Sequence, residues 1–185
     1  MPLTTLDPDT ALVIVDLQKG LAGFPFIHPI ADVLARNRAL ADAFRAAGRP
    51  VVLVNVAGTA PGRTEQPRRL AGPLPDDFAD LLPELDRQPG DIVVTKRSWG
   101  AFANTDLDTQ LKAAGVTQVV VTGVATATGV ESTARQAYEL GFNVTLALDA
   151  MTDSRPDAHD HTIAKIFPRL GETGSTADIL SLLQG

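Results

Sequence analysis

Ala11-Leu12-Val13-Ile14-Val15-Asp16 opens the fold: five apolar residues, mostly branched, ending in a carboxylate. A run this short that is apolar on both faces fits a strand buried between two layers. Four more such runs follow. They are Val51 to Val56, Asp91 to Thr95 (ending in Lys96), Gln118 to Thr122 and Val144 to Leu148. A very short sixth strand is expected near Glu172 and Thr173. Amphipathic stretches separate the runs, the alternation of a parallel sheet covered by helices. The expected fold is therefore a three-layer α/β/α domain spanning residues 1–185, with a mostly parallel sheet of five or six strands.

The intervening helices carry readable ends. Pro29 sits at a first helical position and Gly48 stops that helix. Thr105 and Asp108 have the spacing of a capping box, closed by Gly115. Glu131 and Arg135 stand four apart on the next helix, which Gly141 ends. Ser154 and Pro156 open another, carrying Ile163 and Ile166, and Thr176 to Leu183 forms the last. Ala57 to Asp77 breaks the rhythm with Gly58, Pro61, Gly62, Pro67, Gly72, Pro73 and Pro75. A loop of that length suits an excursion over a functional edge or an oligomer contact.

Composition excludes several kinds of chemistry. The 185 residues include no cysteine, so disulfides, thiolate catalysis and Cys-ligated zinc are ruled out. The net charge of −6 and the scattered basic residues argue against a nucleic-acid backbone as partner. The densest basic group, Arg63, Arg68 and Arg69, reads as a solvated loop. Met1 to Asp9 lacks the pattern of a signal peptide, and no apolar run is long enough for a bilayer. A cytoplasmic protein is expected.

Ligands of an open parallel sheet bind beyond the carboxyl ends of its strands. Asp16, Lys96 and the turn Gly123 to Gly129 all fall there. At these positions a family pattern emerges. Val15-Asp16-Leu17-Gln18 resembles the first signature of the isochorismatase-like hydrolases, a Rossmann-related group. Lys96-Arg97-Ser98-Trp99-Gly100-Ala101-Phe102 is similar to their lysine motif. The run from Thr122 through Gly123, Val124, Ala125, Thr126, Ala127, Thr128, Gly129 and Val130 to Ala134 resembles their nucleophile turn. Ala147 to Met151 and Ile166 to Thr173 also fit, in order and spacing.

The resemblance implies a catalytic Asp, Lys and Cys, matched here by Asp16, Lys96 and, in place of the thiol, Gly129. That departure, glycine where the family has cysteine, rules out the usual covalent thioester route. A glycine-bearing subset, the isochorismatases proper, cleaves a vinyl ether without a covalent enzyme intermediate. The resemblance also implies a non-proline cis peptide between Val124 and Ala125. Nicotinamidases of the family bind a metal after the second strand, where this chain reads Asn55-Val56-Ala57-Gly58-Thr59-Ala60. No metal or cofactor is therefore expected.

The leading expectation is a cofactor-independent hydrolase of a small metabolite, with isochorismate the best single guess for its substrate. Asp16 is the acid or base, Lys96 fixes it, and backbone amides around Ala125, Thr128 and Val130 orient substrate. Glycine at 129 is expected to make room for substrate. Phe24, Trp99 and Phe102 are candidate pocket walls, and Trp99, Phe102 and Phe26 are a candidate oligomer surface. A hydroxyl from Thr126, Thr128, Ser132 or Thr133 as substitute nucleophile has no histidine near it in sequence. His159 and His161 read as surface helix residues. Two alternatives stand beside this one: a silent binding or scaffold protein, and an amide hydrolase in which Asp16 activates water. Asp16→Ala is expected to abolish turnover and leave the fold intact.

Overall fold

A computed structural model describes residues 3–66 and 73–184. Six strands form one parallel sheet in the order β3-β2-β1-β4-β5-β6. They are β1 (Thr10–Val15), β2 (Val51–Val56), β3 (Ile92–Lys96), β4 (Gln118–Val124), β5 (Asn143–Thr152) and β6 (Glu172–Gly174). The helices are α1 (Lys19–Ala22), α2 (Ile30–Ala46), α3 (Leu107–Ala113), α4 (Glu131–Glu139), α5 (Pro156–His161) and α6 (Thr176–Gln184). The expected runs become the expected strands. β1, β2 and β4 are buried throughout, whereas β3 lies at the sheet edge with Thr95 exposed.

Alternation along the strands splits the core in two. Val13, Val15, Val52, Val54 and Val94 face the side of Leu111, Ala134 and Phe167. Leu12, Ile14 and Leu53 face the side of Leu34, Leu40, Phe44 and Ile179. α2 and α6 thus cover one face, with α3 and α4 on the other.

Helix ends differ from expectation in two places. Pro29 caps α2 from outside, and the helix begins at Ile30. No capping box forms at α3. Thr105 Oγ1 instead donates to Ala101 O at 2.7 Å, and Asp108 pairs with Lys112 one turn on. Pro67, Arg68, Arg69 and Gly72 of the long loop lie outside the described residues.

Candidate active site

The carboxyl edge of the sheet gathers the site. Strict alternation would carry Asp16 to the face of Leu12 and Ile14. Its φ of +56° breaks that alternation. Aspartate tolerates this left-handed conformation better than most residues, and such backbone clusters at functional sites. The carboxylate emerges on the other face, where Lys96 also points two residues after Val94. The four-carbon stem of Lys96 crosses the end of β2 and brings Nζ to 2.7 Å from Asp16 Oδ2. Nζ also donates to Ser98 O at 3.1 Å. Side-chain exposure is 1% for Lys96 and 7% for Asp16, so this ion pair is dry.

The second carboxylate oxygen, Asp16 Oδ1, is buried with no hydrogen-bond partner among the described residues. Burial pushes the Asp16 pKa from 3.8 up to about 6, against the charge and hydrogen bond of Lys96. A carboxyl tuned close to neutrality can both give and take a proton.

Gly129 closes the site from above. A Cβ added there would lie 3.1 Å from Asp16 Oδ2, 3.0 Å from Val15 Cγ1 and 2.9 Å from Val124 O. The expectation that glycine makes room is corrected. It lets the backbone of the turn press onto the carboxylate. The Val124–Ala125 peptide is cis, as the resemblance implied. Gly123, at φ +106°, lets β4 pass β1 where a Cβ would meet Val15 O.

The amides of this turn are less available than expected. Thr128 and Val130 donate back to Ala125 O, at 3.0 and 3.2 Å. Ala127 donates to Asp153 Oδ2 at 2.9 Å. The substrate-orienting role expected for Thr128 and Val130 is therefore corrected: these amides are committed to holding the turn, and the Val130 side chain lies in the core.

The aromatic candidates part company. Phe102 is core, 7% exposed and packed on Phe142, so neither a pocket wall nor an exposed oligomer surface. Phe26 is half-buried beside Phe24, ring centroids 6.3 Å apart, in the loop after α1. Trp99 stands three residues beyond Lys96 and is 66% exposed. His159 is no surface residue: it is buried, with Nδ1 2.8 Å from Thr126 Oγ1. The partner missing from the local sequence is supplied by tertiary contact.

Three residues have supporting roles that the sequence reading did not assign. Gln18 is fully buried. Its Nε2 donates to Val56 O and Phe78 O at 3.0 and 2.8 Å, and its Oε1 accepts the Val56 N–H at 2.7 Å. It ties the segment just after β1 to the end of β2. Thr133 and Gln136, one turn apart on α4, accept the N–H groups of Ala101 and Phe102. They pin the segment after Trp99 onto the helix that follows Gly129. The only signal for them was polar residues on a helix face otherwise marked by Ala134 and Ala137. Gln18→Leu strands the N–H and C=O of Val56 in a dry place, while Phe78 O keeps the Gly20 N–H at 3.0 Å. Roughly 2–4 kcal/mol of stability is expected to be lost, read by urea unfolding.

A family model of the isochorismatase domain matches residues 10–178. The chain belongs to the isochorismatase family. The uncharacterized isochorismatase family protein YwoC of Bacillus subtilis (strain 168) is 40% identical over 187 residues, covering 96% of this chain and 97% of the relative. The ureidoacrylate amidohydrolase RutB of Stutzerimonas stutzeri (strain A1501) is 34% identical, covering 84% of this chain and 75% of that protein. An isochorismatase family structure from Burkholderia thailandensis superposes with a TM-score of 0.93 at 41% identity, covering 98% of both chains. The chain is an isochorismatase-family hydrolase of three-layer α/β architecture. Among the described residues, no helix is long and apolar enough to cross a membrane.

Proposed function

We propose that this protein hydrolyses a vinyl ether by acid–base chemistry alone, with Asp16 as the proton donor. The observation that carries the reading is Asp16 Oδ1, buried and unpartnered among the described residues, on a carboxyl whose pKa is raised to about 6. A protonated Asp16 gives its proton to the terminal methylene carbon, and the double-bond electrons form the new C–H bond. The neighbouring carbon becomes an oxocarbenium centre. Water adds to it, and the adduct collapses to a ketone and an alcohol. The proton lost by water restores Asp16. Lys96 fixes the carboxyl in place and steadies its charge once the proton has left. With glycine at 129 no acyl-enzyme step enters. Trp99 and Phe24 flank the substrate, and self-association through Trp99 belongs to the same reading.

The amidohydrolase name of the RutB relative supports a second reading, in which Asp16 activates water against an amide. The two differ in an atom that can be counted. The purified protein is incubated in D2O with a panel of vinyl ethers, primary amides and ureido compounds. Vinyl ether cleavage places deuterium on the new methyl group of the product, seen by mass. Amide cleavage releases ammonia or an amine and leaves every carbon unlabelled. A thermal shift with no product from any compound supports the scaffold alternative instead.

A further inference from the structure

Behind the Gly129 turn lies a second cluster of titratable groups that the proposed chemistry does not use. Thr126 begins the turn and is fully buried, its hydroxyl 2.8 Å from His159 Nδ1. Ala127, next along, donates its N–H to Asp153 Oδ2, and Asp153 O accepts the Ile27 N–H at 2.8 Å. His28 follows Ile27 in the loop that carries Phe24. Its N–H donates to Thr152 Oγ1 at 3.2 Å, and its Nδ1 lies 3.1 Å from the same oxygen. The rings of His28 and His159 meet edge to face, centroids 5.1 Å apart. Three separate segments, the 24–29 loop, the end of β5 and α5, thus converge on the first two residues of the turn.

We propose that His159 is a positioning residue, whose neutral ring accepts the Thr126 hydroxyl and so holds both the Gly129 turn and the Phe24 loop in register with Asp16. With its proton on Nε2, the neutral ring offers Nδ1 as an acceptor, which suits a donating hydroxyl 2.8 Å away. A protonated ring has only donors. The Thr126 hydroxyl would then have to turn its own proton elsewhere, inside a dry site. An imidazolium would also face His28.

The charged groups around the ring are few. His28 faces it from the loop and Asp153 from the end of β5, with Asp160 beside it on α5. At the head of α4, Glu131 is spent on Thr162 and Arg135. Burial, then His28, lowers the His159 pKa, and Asp160 and Asp153 oppose this weakly. The ring therefore stays neutral through neutral pH and protonates only in acid. Asp16 must hold a proton to act, while His159 must lack one. The acid limb of the activity profile belongs to a group that touches no substrate.

This inference rests on the reading of Asp16 and Gly129 as the site, but its first test does not need turnover. In 15N-labelled protein without ligand, the His159 ring and the amides of Ile27, Ala127 and Gly129 are followed by NMR from about pH 4.5 to 8, bracketing the ordinary histidine range. The amides are expected to move with the midpoint of His159. His159→Asn keeps an acceptor near the Nδ1 position and abolishes that shared transition. His28→Asn removes the neighbouring ring that lowers the His159 pKa and so raises the His159 midpoint. With a substrate in hand, His159→Leu lowers kcat by about ten- to a hundredfold, the scale of a small misplacement, with little change in KM. His159→Asn restores kcat at neutral pH and loses the acid limb. A His159 ring that titrates while those amides stay still overturns the proposal, as does an acid limb that survives in His159→Asn. If Asp16→Ala keeps full turnover but the amides follow His159, the reading of Asp16 fails and the linkage stands.

Discussion

Asp16→Ala is expected to lose turnover by about a hundredfold to ten-thousandfold or more, the span a positioned general acid supplies. The expectation from sequence that this variant leaves the fold untouched is corrected: about 3–5 kcal/mol of stability is expected to be lost, because the Lys96 ammonium is left buried without its counter-charge. The stability loss separates from the activity loss in a double variant. Asp16→Ala/Lys96→Met replaces the dry ion pair with apolar atoms and regains most of the lost stability, since desolvation of both charges is relieved together. It regains no turnover. A urea titration beside a product assay reads both. Turnover that survives in Asp16→Ala removes the acid–base reading altogether.

The same pair sets a pH dependence with a definite sign. The folded chain holds a proton on Asp16 up to about pH 6, and the unfolded chain releases it near 3.8. Between those values the folded state binds more protons, so stability falls as pH rises. The stabilising contribution of this carboxyl is complete below the unfolded value and is lost through the folded one. In the double variant that slope is gone, and the difference between its stability curve and the native one isolates the group.

Much of this arrangement was legible in the chain because buried parallel strands read as unbroken apolar runs. Their ends marked Asp16 and Lys96 as neighbours of one sheet edge. Two features were not legible. The run at Val144 stops at Leu148 on apolar grounds, yet β5 continues to Thr152. Between Val121 and Gly123 the register shifts, so that Gly123 pairs with Met151 and β5 takes up the extra residues. Asp149 sits in that stretch and accepts the Thr176 hydroxyl and amide, a tertiary role that hides a strand behind a charge. His159 was illegible for a related reason. Its burial comes from α5 docking on the turn after β4, and no spacing within His159-Asp160-His161 encodes that contact.

Gly129→Cys tests what the glycine is for. If the position were an open space left by a missing thiol, cysteine would fit and a thiol-dependent amidase would follow. The geometry argues otherwise. The new Cβ would stand 2.9 Å from Val124 O, closer than real Cβ atoms come to backbone. Val15 and the Asp16 carboxyl, at 3.0 and 3.1 Å, would have to yield as well. The Val15 methyl and the carboxyl can turn by a few tenths of an ångström. The Val124 carbonyl cannot follow easily, because it belongs to the peptide leading into Ala125, and Ala125 O already receives the Thr128 and Val130 amides. The expected result is a loss of about 1–3 kcal/mol, the ordinary cost of overpacking. Native turnover is expected to fall with it, because the carboxyl pushed aside is the proposed proton donor. No thiol-dependent hydrolysis of amides or ureido compounds is expected, and iodoacetamide is expected to leave residual activity unchanged. A stable Gly129→Cys protein with alkylation-sensitive amidase activity would show that the turn was built for a nucleophile, and that the backbone of glycine contributes nothing of its own to the chemistry of Asp16.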